Sequence, residues 1–407
     1  MPLAAPGESP SAPGRRRNRS IGRRQLAGCA SPLGGRRSAG GGVPRHRPQA
    51  RLSLTLTWSG STPFNQPPLS LEPNTHGPTA QRWGVASAFA PGKCILFGEH
   101  AVVYGHPAVA VAIDQGVRAS ITESLEWKLE GMPFDPSRHP HITHIIQSVF
   151  HYDGPPLTLD VQSGLFSAAG MGSSAALSNA VGAALHSHLN ADEPLDSVKL
   201  AKLAHSAEAT AQKGRASPTD TATSALGGCV VISGEHVEGT RHVFDTSLVT
   251  PEGRREWSIN VVDLSPRVRE AWLVMGYTGV GSPTGRMVAK VAKLLSESPE
   301  RSEDMEDISR ITRAGLTALS AGNLEALGMA MDACHERLQR LRVSNPLLDR
   351  LVVAARPHSM GAKLTGAGGG GCMVALTEDP QRVAEAIEVA GGRPLVSRLG
   401  AKGVRVV

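Results

Sequence analysis

The stretch AGMGSSAAL, residues 169–177, constrains the fold more than any other part of the chain. Its glycines, at 170 and 172, permit dihedrals and close approaches that a β-carbon forbids. Ser173 and Ser174 then lead into AALSNAVGAALHSHL, where Leu177, Val181, Ala184, Leu185 and Leu189 recur at the spacing of a buried helix. The pattern predicts a helix over 174–189 whose first N–H groups have no intrahelical partner. Such an end attracts anions: a phosphate receives backbone N–H bonds and the favourable end of the helix dipole, and a serine hydroxyl can join the shell of an accompanying Mg²⁺. A serine N-cap after an ordinary glycine turn gives the same string. The stretch is not a Walker A motif, because no Gly-Lys-Ser/Thr follows, so a phosphate-contacting lysine must come from elsewhere.

The chain around it reads as two domains and a tail. Residues 1–84 are rich in Pro, Gly, Ser and Arg without periodic apolar pattern, a composition that predicts disorder and fits either a transit peptide or a translated upstream segment. Folded sequence is expected from Val85. Eleven arginines against the single acid Glu8 within residues 1–60 carry the net charge of +6 by themselves and leave the rest of the chain at −4. A mildly acidic body excludes a nucleic-acid-binding core, which needs a basic face. No apolar run reaches membrane-spanning length. The five cysteines, at 29, 94, 229, 334 and 372, are scattered and never form C-x-x-C, so neither a disulfide framework nor a zinc site is signalled and a reducing, cytoplasmic setting is expected. Strand candidates VASAFAP, AVAVAI, CVVIS, AWLVMGYT, CMVALT and GVRVV alternate with helical stretches, which predicts an α+β pair of domains over 85–267 and 268–407. MDACHERLQRLRVSNPLLDRLV reads as a helical hairpin broken at Asn345-Pro346 rather than as a Cys/His metal site.

Two further segments extend the first signal: APGKCILFGEHAVVYGHPAVAVAI (90–113) and KLTGAGGGGCMVAL (363–376). With GLFSAAGMGSSAAL they resemble the three motifs of the kinase superfamily of galactokinase, homoserine kinase, mevalonate kinase and phosphomevalonate kinase. The arrangement of Lys93, Glu99, His100, Val103, Tyr104 and Gly105 is most similar to the mevalonate kinases, and ASPTDTATSALGG (216–228) to their archaeal branch. The resemblance spans residue 85 to the end. It implies a two-domain small-molecule kinase fold, with an N-terminal ribosomal-S5-like α/β domain, a C-terminal ferredoxin-like α+β domain and the active site in the cleft between them. Three departures stand out: Phe166 where the family usually has proline, Ala168 where glycine is common, and Lys213 as an extra residue, which a helical bulge could absorb.

The resemblance also distributes roles. ATP would bind on Ala169, Gly170, Met171, Gly172, Ser173, Ser174 and Ala175, and Mg²⁺ on Glu208 and Ser174, with Ser173 the second choice. Asp220 would take the proton of the primary hydroxyl of mevalonate, with Lys93 beside it; Lys93, His100, Asp220 and Gly368 would line the substrate. His100, Lys93 and the helix end offer positive charge for the substrate carboxylate, with Arg215 a further candidate. Each residue also has a plainer reading: Asp220 as a turn cap, Lys93 as a solvated lysine, Glu208 as a solvated helix residue, GAGGGG as a flexible turn. The implied activity is ATP-dependent phosphorylation of (R)-mevalonate at its 5-hydroxyl. The alternatives are phosphomevalonate kinase, mevalonate 3-kinase, or a non-catalytic ligand sensor on the same fold; a homodimer accords with the resemblance.

Overall fold

Apolar runs on either side of the first motif become two long antiparallel strands, β1 (Ala86–Phe97) and β2 (Ala108–Glu123). The computed structural model describes residues 84–214, 216–250 and 253–407; the expectations for residues 1–83 and for Arg215 lie outside the described residues. β2 also pairs with β5 (Leu157–Ser163) and β6 (Cys229–Ser233). From β6 the sheet continues to β8 (Gly253–Val262) and β7 (Arg241–Thr250), and from β5 to the short β3 (Lys128–Leu129) and β4 (Met132–Pro133). The last strand, β13 (Arg405–Val406), returns to β1.

Three helices pack together on this sheet: α2 (Ser173–Leu189), α3 (Ser197–Ala211) and α4 (Thr219–Leu226). α2 is buried over most of its length, as its alanine-rich sequence requires, and lies against β1 and β2. A short helix, α1 (Pro140–Thr143), continues as a wide turn to Val149 and touches α3. α3 ends at Ala211, and Lys213 takes a φ of 54° beyond it while the Gly214 N–H reaches Ala209 O at 2.7 Å. The extra residue therefore sits in the turn after the helix and not in a bulge within it, because a left-handed residue followed by glycine reverses the chain without breaking the helical ladder.

The second half is a four-stranded antiparallel sheet in the order β10 (Gly361–Thr365), β11 (Cys372–Thr377), β9 (Trp272–Tyr277), β12 (Arg393–Arg398). α8 (Leu324–Arg340) and α9 (Pro346–Ala355) pack against β10, α10 (Pro380–Val389) against β12, and α7 (Ser302–Ala321) against α8; α5 (Pro266–Glu270) and α6 (Thr284–Glu297) flank β9 in sequence. The break between α8 and α9 is where Asn345 caps α9 by accepting from Leu348 N–H and Pro346 occupies the first turn. The whole is the two-domain α+β fold. One apolar cluster crosses both halves, from Leu96 and Phe97 of β1 to Leu273, Val274 and Met275 of β9. Phe97, fully buried, lies where α7 presents Gly315; a β-carbon there would come 2.4 Å from the ring. Among the described residues no helix is long and apolar enough to cross a membrane.

Candidate active site

The pairing of β1 with β2 shifts register between Pro91 and Lys93. This bulge turns β1 toward the glycine loop, as bulges re-aim a strand: Lys93 N–H donates to Met171 O at 3.0 Å and its Nζ donates to Gly170 O at 2.9 Å. The same ammonium lies 3.1 Å from Asp220 Oδ1, with the lysine side chain 5% exposed and the aspartate 39%. A fixed, buried cation thus faces a carboxylate that opens to solvent. Asp220 is the second residue of α4, whose start carries no side-chain cap, so it is not a turn cap. Asn179 Nδ2 of α2 donates to Thr221 O at 3.1 Å and ties that start to the helix behind the glycine loop.

α2 begins at Ser173, one residue earlier than expected, and its cap is Gly172 at φ 74° with no side-chain cap bond. The serine-cap reading therefore falls, and the N–H groups of Ser173, Ser174 and Ala175 lead the helix without a side-chain acceptor. A β-carbon on Gly172 would lie 3.1 Å from Lys93 Cγ and 3.5 Å from Asp220 Oδ2. Ala169 and Met171 are buried behind the loop. At its entry, Phe166 stacks on Tyr277 with centroids 5.0 Å apart, and the Arg393 guanidinium lies 4.9 Å from the Phe166 ring. Ala168 adopts φ 53°, its carbonyl accepting from Ser282 N–H at 3.0 Å. Packing of aromatic and cationic groups here stiffens a segment that lacks the family's proline.

Glu208, on the last turns of α3, is buried. Burial alone would raise its pKa, but the His141 ring, the Ser174 hydroxyl and the Gln212 amide hold it below the ordinary carboxylate range. Gln212 Nε2 donates to Oε2. Oε1 lies 3.4 Å from His141 Nε2, an ion-pair distance at which neither of these buried atoms makes an aligned hydrogen bond among the described residues. A buried ionised oxygen with no aligned hydrogen bond, next to a serine hydroxyl at the start of α2, fits a divalent cation such as Mg²⁺, a hard ion that takes few protein oxygens.

The glycine run 366–371 is a fixed backbone and not a flexible turn. Gly369 N–H donates to Val343 O at 2.8 Å, and Gly371 N–H to Val280 O at 2.7 Å. Gly368 has φ 76°, and a β-carbon there would come 2.1 Å from Val343 O. Its carbonyl accepts from Ser282 Oγ at 2.9 Å. Gly371 faces the phosphate loop, where an added β-carbon would lie 3.0 Å from Ala169 O.

His100 sits on this run, its Nε2 donating to Ala367 O at 2.9 Å. It is the centre of a three-residue turn, φ 61° and ψ −44°, closed by Ala101 N–H to Glu99 O at 2.7 Å. That is a strained conformation. Burial pushes the His100 pKa down against the opposing pull of the Ala367 carbonyl, so the ring stays neutral at pH 7 and does not supply the positive charge expected of it. Beneath it, Lys363 Nζ bonds Glu99 Oε1 in an ion pair with both side chains at most 1% exposed. Thr365 Oγ1 accepts from Ile95 N–H at 3.1 Å and donates to Ile95 O at 2.9 Å, completing a seam between β1 and β10.

Lys93, Asp220 and the 170–172 backbone thus meet at one point, Ser174 and Glu208 meet beside it, and His100 and Gly368 meet on the glycine run. Sequence reasoning missed His141, Gln212, Lys363 and the Val280–Ser282 turn. A lone charge inside the apolar strand GAKLT was a readable signal for Lys363; nothing local marked His141.

Residues 141–228 match the GHMP kinases N terminal domain family and residues 316–393 the GHMP kinases C terminal family. A mevalonate kinase of Pyrococcus abyssi is 33% identical over 353 residues, covering 78% of this chain and 97% of that protein. One of Methanothermobacter thermautotrophicus is 33% identical over 302 residues, covering 71% and 89%. Among solved structures, Methanococcus jannaschii mevalonate kinase superposes with a TM-score of 0.61 at 24% identity, covering 79% of this chain and 99% of that one. L. major mevalonate kinase in complex with R-mevalonate gives 0.61 at 23%, covering 77% and 96%.

Proposed function

The chain belongs to the mevalonate kinases of the GHMP family, and we propose that it transfers the γ-phosphoryl group of ATP to the 5-hydroxyl of (R)-mevalonate in the mevalonate route to isoprenoids, with Asp220 as the base. The observation that carries the assignment of roles is the 3.1 Å pair of Lys93 and Asp220 against the Gly170 carbonyl at the start of α2. The hydroxyl oxygen bonds to the γ-phosphorus, the bond from phosphorus to the β,γ-bridging oxygen breaks, and the hydroxyl proton passes to the Asp220 carboxylate, leaving ADP. Lys93 sets a positive charge beside that carboxylate and offsets charge on the transferring group. The leading N–H groups of α2 hold the phosphates. Ser174 and Glu208 would hold Mg²⁺, which when bound neutralises phosphate charge. His100 and the backbone at Gly368 bound the substrate by shape and hydrogen bonding, since the buried imidazole is neutral.

Four free, buried cysteines among the described residues, Cys94, Cys229, Cys334 and Cys372, support a reducing, cytoplasmic location. A homodimer is part of the proposal and is checked by sedimentation. The decisive test is Asp220→Asn. Removing a general base costs about 10²–10⁴ in rate, so kcat falls by that order with nearly unchanged dissociation constants for both substrates. Near-normal turnover, or a defect confined to nucleotide binding, ends the assignment. Comparing mevalonate, phosphomevalonate, homoserine and galactose, with the phosphorylated position read by phosphorus NMR, separates the enzyme from its relatives. Absence of turnover on all four returns the sensor reading.

A further inference from the structure

α1 and the turn after it carry two histidines one turn apart that face α3, and they differ in a telling way. His144 has both ring nitrogens engaged, Nε2 with Ser206 Oγ at 2.7 Å and Nδ1 with Thr210 Oγ1 at 3.2 Å. It is what a structural histidine looks like at this interface. His141 Nε2 is buried and makes no aligned hydrogen bond among the described residues, although it stands at ion-pair distance, 3.4 Å, from Glu208 Oε1, which makes none either. Two complementary atoms that close would ordinarily align into a hydrogen bond, because a buried polar atom left unaligned is costly. They do not align, and two ligand atoms that share a cation would not. Adjacent ligands of an octahedral ion with bonds near 2.1 Å stand about 3 Å apart, within a few tenths of the separation seen. The other oxygen, Oε2, is held by Gln212, which fixes the carboxylate with Oε1 turned toward the ring.

We infer that His141 is a third protein ligand of the divalent cation, completing a His141–Glu208–Ser174 set. The inference rests on the reading of Glu208 and Ser174 as the cation site. Its consequence is metal preference. Two oxygen ligands suit Mg²⁺, whereas an imidazole nitrogen is a poor ligand for that hard ion and a good one for first-row transition metals. The site therefore discriminates in favour of Mn²⁺ or Co²⁺ over Mg²⁺ more strongly than an all-oxygen site does. The placement also links metal and fold: α1 is anchored on α3 through His144, so the ligand arrives on a packed element and not on a free loop.

The test uses the full chain loaded with Mn²⁺ and ADP, with histidine labelled by ¹⁵N so that nitrogen of the adenine is not mistaken for protein. Pulsed electron paramagnetic resonance should show a ¹⁵N coupling of a directly bound imidazole, and the coupling should vanish in His141→Gln. That variant should also weaken Mn²⁺ binding roughly tenfold while changing Mg²⁺ binding much less. If Mn²⁺ binds, Glu208→Gln weakens it, and the labelled wild-type spectrum shows no ¹⁵N coupling, the inference is overturned while the Glu208 reading stands. If Glu208→Gln leaves Mn²⁺ affinity unchanged, the reading beneath it falls as well. The spectrum of the unsubstituted protein decides the point even if His141→Gln fails to fold.

Discussion

Replacing Lys363 by methionine isolates the most deeply buried ion pair among the described residues. Its ammonium and the Glu99 carboxylate are both at most 1% exposed, they join residues 264 positions apart, and they lie under the His100 turn. Burial alone would lower the Lys363 pKa, but the neighbouring Glu99 carboxylate reverses this and leaves it above the ordinary ammonium value, so the ammonium is charged. Among the described residues the only other hydrogen bond of that ammonium is to the carbonyl of Leu364, and Glu99 Oε2 has only the weak Cys334 Sγ donor at 3.9 Å. Lys363→Met therefore leaves a carboxylate stranded in apolar surroundings. Breaking a buried pair from one side costs about 3–5 kcal/mol, whereas replacing both charges by groups of similar volume is often nearly neutral. For a folded unit of this size that loss lowers the melting temperature by on the order of 10 °C. The double variant Glu99→Gln with Lys363→Met should recover most of it. The assay is thermal unfolding of the four proteins of the cycle at pH 7. A single-variant loss below about 1 kcal/mol, or losses that simply add in the double variant, would refute the reasoning, since additivity means that the two groups do not sense each other.

Ala168→Gly should raise stability by about 0.5–1 kcal/mol, because a left-handed alanine costs about 1–2 kcal/mol and glycine returns only part of that through backbone entropy; a lowered melting temperature would contradict it. His335 is buried, accepts Leu364 N–H at Nδ1 and faces Asp349 through Nε2, and burial pushes its pKa down to about 4 despite the carboxylate. A histidine whose folded pKa lies below its unfolded value of about 6.5 gives stability that is complete above that pH and is lost as pH falls toward 4, by up to about 3 kcal/mol. Denaturant unfolding should show the advantage of wild type over His335→Gln shrinking across that window and no change from pH 7 to 8.

What the sequence by itself determined was local and repetitive. The α2 helix, the strands CVVIS and CMVALT, the α8–α9 break at Asn345-Pro346 and the glycine-led helix start at residues 170–174 follow from side-chain periodicity, glycine and proline chemistry, all of which act over a few residues. The family motifs added which residues to watch, because they record a site as short strings. Tertiary structure decided everything that joins distant strings. The β1 bulge that aims Lys93 at Asp220 depends on register with β2. The Glu99–Lys363 pair depends on the turn after β1 meeting β10, 264 residues away in sequence. The lowered pKa of His100 depends on burial that no neighbour in sequence announces, and it works against the positive charge expected of that residue. His141 carried no local mark at all, since only the packing of α1 on α3 brings it to Glu208. Dielectric and distance are properties of the folded surroundings, and a residue's chemistry in a site is set by them.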